Sequence, residues 1–122
     1  MTKDVILDAN RTIVNEYFRL IGQKNIKALL DLFSDDAVLY EPFSKLAGLH
    51  GKSDIENFLR VAGMANAGLN KTISFESEST DNIVAIVMFE RGNSVIGRFT
   101  FRFQSLDQPF KKKIQSLHIE FL

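Results

Sequence analysis

In this 122-residue chain, Tyr17 and Glu41 each set a chemistry-bearing side chain among apolar neighbours. Tyr17 recurs with Ile13 and Leu20 at spacings of three or four, which places it on the apolar stripe of a helical stretch. A phenol turned into a core must find a partner for its hydroxyl, and there it could hold a substrate carbonyl. Glu41 alternates with Leu39 and Ala37, so it points inward if this segment is a strand. Desolvation raises the pKa of a carboxylate in an apolar cavity, which suits a general base near neutral pH. An inward phenol and an inward carboxylate could together hold a carbonyl and move its α-proton. The same two residues also read as a core aromatic with a satisfied hydroxyl and a half-exposed carboxylate beside Pro42.

Other constellations lead less far. Gly51-Lys52-Ser53 resembles the end of a phosphate-binding loop, but the position five before Gly51 is Leu46 and no hydrophobic strand leads directly in. The backbone cradle is therefore incomplete, and the segment reads as a loop entering a capped helix. His50 and His118 are the only histidines, too few for the three or four convergent ligands of a metal site, so no metal and no cofactor are expected. There is no Gly-x-Ser-x-Gly elbow for acyl transfer. Zero Cys excludes a disulfide framework, zinc-finger spacings, thiol catalysis and iron–sulfur ligation. Fifteen basic against fifteen acidic residues argue against a nucleic-acid partner. Lys111-Lys112-Lys113 reads as a solvated turn rather than an anion site.

The N-terminal apolar stretch is broken by Asp8, Asn10 and Arg11, so it is no signal peptide, and no run approaches the roughly 18 apolar residues of a membrane span. The sequons at Asn10 and Asn70 then read as chance matches. The expectation is a cytoplasmic protein without a membrane partner.

The elements that must position Tyr17 and Glu41 are legible in the pattern. Asp4 to Ile21 reads as a helix stopped at Gly22. Asn25 caps a second helix carrying Ile26, Leu29, Leu30 and Phe33, which ends in a polar turn at Ser34-Asp35-Asp36. Ala37 to Glu41 is a short strand closed by Pro42. A third helix runs from about Ser53 to Val61, with Ala62 to Asn70 a loop or frayed end. The second half is β-rich: Thr72–Thr80, Asn82–Arg91, Ser94–Gln104 and Lys112–Phe121, with tight turns at Asp81-Asn82 and Gly92-Asn93 and a longer one at Asp107-Gln108-Pro109. Val95, Gly97, Phe99, Phe101 and Phe103 point one way. Ile96, Arg98, Thr100, Arg102 and Gln104 point the other. Helices followed by an antiparallel meander make an α+β class, in one domain over residues 1–122, and a chain this long can bury roughly two-thirds of its unfolded surface.

Glu16 to Pro42, with its Leu32-Phe33-Ser-Asp-Asp-Ala37 run and an acid before proline, resembles the nuclear transport factor 2-like superfamily in its ketosteroid isomerase-like and SnoaL-like branch. Gly51-Lys-Ser-Asp-Ile-Glu-Asn-Phe58 resembles that group's Gly-x-x-Ala-Ile-x-x-Phe, and Lys113 to Phe121 its last strand. The resemblance implies a cone: a curved antiparallel sheet wrapped by three N-terminal helices, a cystatin-like fold with an apolar pocket at its open end. It implies that Leu39, Phe58, Phe99, Phe101, Phe103, Leu117 and Phe121 bind a small apolar ligand. It also implies a homodimer through the outer sheet face, where Arg98, Arg102, His118 and Glu120 would meet a partner subunit.

Steroid isomerases of this kind carry a helix Tyr, an Asp base before the proline and a second, protonated Asp on a later strand. Tyr17 aligns with the first and Glu41 with the second, while Phe99 stands near the third. The resemblance thus implies a small carbonyl-bearing ligand, with Glu41 as base and Tyr17 as donor in isomerase- or cyclase-type proton transfer from an incomplete steroid isomerase site. The alternative is a non-catalytic module that binds a ligand in the cone or a protein on the sheet.

Overall fold

The computed structural model describes residues 2–43, 47–105 and 112–122. The apolar stripe around Val14, Tyr17, Phe18 and Ile21 winds into helix α1, Lys3–Gly22, and buries that face. Gly22 is the last residue of the helix, as expected, but it does not supply the left-handed turn. The left-handed position is taken by Lys24, with φ 56°, and the Asn25 side chain then accepts from Ala28 N to cap helix α2, Ile26–Leu30. α2 is shorter than its apolar spacing suggests, because Phe33 leaves the helical path to open strand β1, Phe33–Tyr40.

The expected polar turn at Ser34-Asp35-Asp36 is an irregularity within that strand. Register against the last strand shifts between Phe33 and Val38. Asp36 accepts from Ser34 Oγ at 3.1 Å and from Gln115 Nε2 at 3.3 Å, and these bonds hold its carboxyl below the usual range. Polar residues thus mark a bulge here, since their hydrogen bonds are made within the strand pair.

Strand β2 (Leu49–His50) leads into helix α3, Gly51–Asn66, which outruns its expected end at Val61 by more than a turn. The strands that follow are β3, Asn70–Glu78; β4, Asn82–Arg91; β5, Asn93–Phe103; and β6, Ile114–Phe121. Gly92, at φ 77°, supplies the left-handed turn between β4 and β5. The Asp107-Gln108-Pro109 turn, Lys111 and Leu46 lie outside the described residues.

The strands form one curved, unclosed sheet in the order β2-β1-β6-β5-β4-β3. Every pairing is antiparallel except β1 with β6, which run parallel through Leu39↔Leu117 and Tyr40↔His118. On β5, Gly97, Phe99, Phe101 and Phe103 are buried while Arg102 is exposed, as the alternation requires. The helices cover this inner face, and Val14, Leu29, Phe33, Ile55, Leu59 and Phe101 are fully enclosed between the two layers.

Polar ties hold α1 on the far edge of the sheet. Arg11 grips Glu78 of β3 through two hydrogen bonds of 2.7 Å. Lys71 Nζ donates to Phe18 O at 2.8 Å, and Asn10 Nδ2 to Thr80 O at 3.1 Å. Among the described residues, no helix is long and apolar enough to cross a membrane.

Candidate functional site

Helices and sheet do not meet everywhere. Between them lies a cavity of about 280 Å³. α1 contributes Tyr17, Phe18 and Ile21; α3 contributes Phe58, Val61, Ala62, Ala65 and Asn66. The floor is Phe89 of β4, Phe99 of β5 and Ile119 of β6. No charged side chain among the described residues lines it, and Tyr17 and Asn66 supply its polar groups. At the mouth Phe43 is 78% and Phe121 45% exposed, with ring centroids 5.6 Å apart. Apolar walls of this kind favour an uncharged occupant, because a charge would be desolvated without compensation.

Tyr17 is 2% exposed. Its ring packs edge-on against Phe18 at 5.1 Å and Phe101 at 5.4 Å, which fixes its direction. Its hydroxyl makes no hydrogen bond with the described residues. Burial pushes the phenol above its ordinary pKa, so at neutral pH it is a donor and not a phenolate.

Glu41 lies one residue past the end of β1, so strand alternation does not reach it. It is half-buried, and its Oε2 accepts from Phe43 N at 2.8 Å. It lines a depression with Leu49, Asp54 and Asn57 that shares Phe43, Phe58 and Val61 with the Tyr17 cavity. The phenol and the carboxylate therefore stand in adjoining concavities, with those three apolar residues at the boundary.

Of the expected ligand-binding residues, Phe58, Phe99 and Phe121 line the Tyr17 cavity. Leu39, Phe101, Phe103 and Leu117 are buried in the core and do not line it. They have the right face of the sheet but the wrong depth. Phe101 and Phe103 sit further along β5. Sequence reasoning missed Ala62, Ala65 and Asn66 by ending α3 at Val61, and it passed over Val61 itself. The signal was there, since 58, 61, 62 and 65 keep helical spacing.

On the outer sheet face Arg98 pairs with Glu76 at 3.2 Å, and the His118 ring stands 5.7 Å from Tyr40. Val84 and Ile86 are half-buried there, and Met88 is exposed. Among the described residues, no group of three or more His, Cys, Asp or Glu could hold a metal ion.

No family model matches the chain, and no curated protein matches it. Solved structures do. A nuclear transport factor 2-like protein of unknown function from Pseudomonas putida superposes with a TM-score of 0.75 at 13% identity, covering 98% of this chain and 89% of that one. An epoxide hydrolase/cyclase-like enzyme of pyran ring formation in the polyether salinomycin gives 0.68 at 18% identity, over 91% and 88% of the two chains. A protein of unknown function with a cystatin-like fold from Methylobium petroleophilum gives 0.70 at 16% identity, over 94% and 76%. The chain has the nuclear transport factor 2-like fold.

Proposed function

We propose that this protein binds a small, uncharged, apolar carbonyl compound in the cavity between α1, α3 and the sheet, with the Tyr17 hydroxyl donating to the ligand oxygen. One observation carries the reading: a buried phenol without a hydrogen-bond partner among the described residues opens onto an apolar cavity. A donor left so is costly unless a ligand or water completes it. The chain has no Trp, so a naphthyl ketone can be excited apart from the protein. Prodan, a neutral ketone whose emission follows polarity, should bind one per chain with a blue shift. Tyr17→Phe should weaken it several-fold, and Ala62→Trp, which fills the cavity, should abolish it. Absence of saturable binding, or equal binding by the filled variant, would sink the reading.

A second reading adds catalysis. Glu41 takes an α-proton from the bound ketone while Tyr17 steadies the developing enolate oxygen, and reprotonation completes an isomerisation. The shared boundary at Phe58 and Val61 supports it, since a ligand reaching past these residues would meet the carboxylate. Glu41→Gln keeps an acceptor for Phe43 N but no base. Loss of α-proton exchange on enolisable ketones, with prodan affinity unchanged, is the expected result. Unchanged exchange in Glu41→Gln and Tyr17→Phe leaves the binding module.

The apolar stripe Val84, Ile86 and Met88 beside the polar Arg98, Arg102, His118 and Glu120 supports homodimerisation through the outer sheet. Light scattering should give twice 13.8 kDa, and Ile86→Asp should halve it. A wild-type monomer at micromolar concentration refutes this.

A further inference from the structure

Asn66 is the last residue of α3 and lines the same cavity as Tyr17. Its Nδ2 donates to Ala62 O at 2.8 Å, one turn back on its own helix. That bond fixes the amide's orientation, because turning it over would set two oxygens against each other. The oxygen is therefore the atom left over. Asn66 Oδ1 is buried and has no hydrogen-bond partner among the described residues. Tyr17 also lacks a partner among the described residues, but its phenol offers a donor, whereas Asn66 offers only an acceptor. The two polar groups of this apolar cavity thus ask for opposite things.

We propose that Asn66 is a specificity-determining residue, and that the occupant of the cavity is a neutral, apolar ketone that also carries a hydroxyl or N–H donor for Asn66 Oδ1. The inference rests on the cavity reading above and sharpens its substrate class from apolar carbonyl compounds to hydroxyketones and their amino analogues. A carboxylate in place of the donor would set an anion against an amide oxygen within apolar walls and is disfavoured on both counts.

The test is displacement of prodan from the full chain by 2-acetylnaphthalene and by its hydroxylated regioisomers. At least one regioisomer should bind about three- to tenfold more tightly than the parent, the gain of one hydrogen bond to an otherwise unsatisfied buried acceptor. In Asn66→Leu, a replacement of similar volume, the ratio of regioisomer to parent affinity should fall to about one. Asn66→Ala serves for the same comparison if the leucine variant folds poorly. Parent binding with no gain from any regioisomer, or a gain that survives both variants, overturns the role of Asn66 and leaves the cavity reading standing. No saturable binding by prodan or any ketone overturns both.

Discussion

Replacing Tyr17 with Phe separates a structural tyrosine from a binding one, because the two predict opposite signs for stability. A core tyrosine whose hydroxyl is hydrogen-bonded within the protein loses about 1 kcal/mol on conversion to Phe. Here the hydroxyl has no partner among the described residues, while the ring is held by Phe18, Phe101, Phe33 and Phe99 at centroid distances of 5.1 to 6.4 Å. The ring contacts survive the change, and only the desolvated hydroxyl is lost. Removing a hydroxyl that only cavity water can satisfy returns at most on the order of 1 kcal/mol. For a domain of this length 1 kcal/mol moves the midpoint by about 4 °C. The unliganded Tyr17→Phe protein should therefore melt at the same temperature as wild type or up to about 4 °C higher. With saturating prodan the order should reverse, since only the wild type retains the donor. Calorimetry of both proteins, with and without the ketone, gives all four midpoints. A Phe variant that melts about 4 °C lower without ligand would mean that the hydroxyl is satisfied inside the fold, and the binding role would fall with it.

Other substitutions test the division between core and cavity wall. Phe101→Ala should cost about 3–5 kcal/mol in urea denaturation, a large share of the roughly 5–15 kcal/mol typical of a domain, because the ring is fully enclosed. Phe58→Ala should cost less and alter prodan affinity more, since that ring is part of the wall. Gly97→Ala would bring a Cβ within 2.9 Å of Phe99 Cε1 and 3.6 Å of Phe89 Cε2, so the aromatic floor must shift. It should cost about 1–3 kcal/mol and weaken the ketone together with it. Glu78 is held below its ordinary pKa by the hydrogen bonds from Arg11. The stability this pair contributes is full above the ordinary carboxylate range and is lost as pH falls through the lowered value. Glu78→Gln should flatten the acid limb of the urea midpoint against pH by a modest amount.

The fold was readable because its elements carry strong periodicity. Val14, Tyr17, Phe18 and Ile21 repeat at helical spacing over about two turns, and Gly97, Phe99, Phe101 and Phe103 alternate without a break. Neither pattern admits a competing period. The boundaries failed where chemistry is shared between neighbouring elements. Ser34, Asp35 and Asp36 have turn composition, yet Gln115 of β6 satisfies Asp36 within a strand pair. A local reading cannot see a partner 79 residues away. The parallel seam of β1 on β6 was hidden for the same reason, since the pairing of Leu39 with Leu117 leaves no trace in either segment alone.

The candidate site was legible in face but not in depth. Periodicity states which side of a sheet or helix a residue faces, and by that measure Tyr17, Phe99 and Phe101 are equivalent. What separates a wall from a core is how far along the strand the covering helix stays in contact, and this depends on the length of α3. Once α3 runs to Asn66, its small residues Ala62 and Ala65 stand opposite the large Phe99 and Phe89, and the space their short side chains leave is the cavity. Glu41 makes the complementary point. Alternation from Leu39 would carry it inward, but β1 ends at Tyr40, and the carboxylate instead accepts the Phe43 N–H just beyond Pro42. The proline that makes the preceding residue look like a strand end also releases it from the strand's alternation, so the residue type and the spacing were informative while the direction was not. Catalysis by Glu41 therefore asks for a ligand long enough to pass Phe58 and Val61, whereas binding at Tyr17 asks only for the cavity that those residues bound.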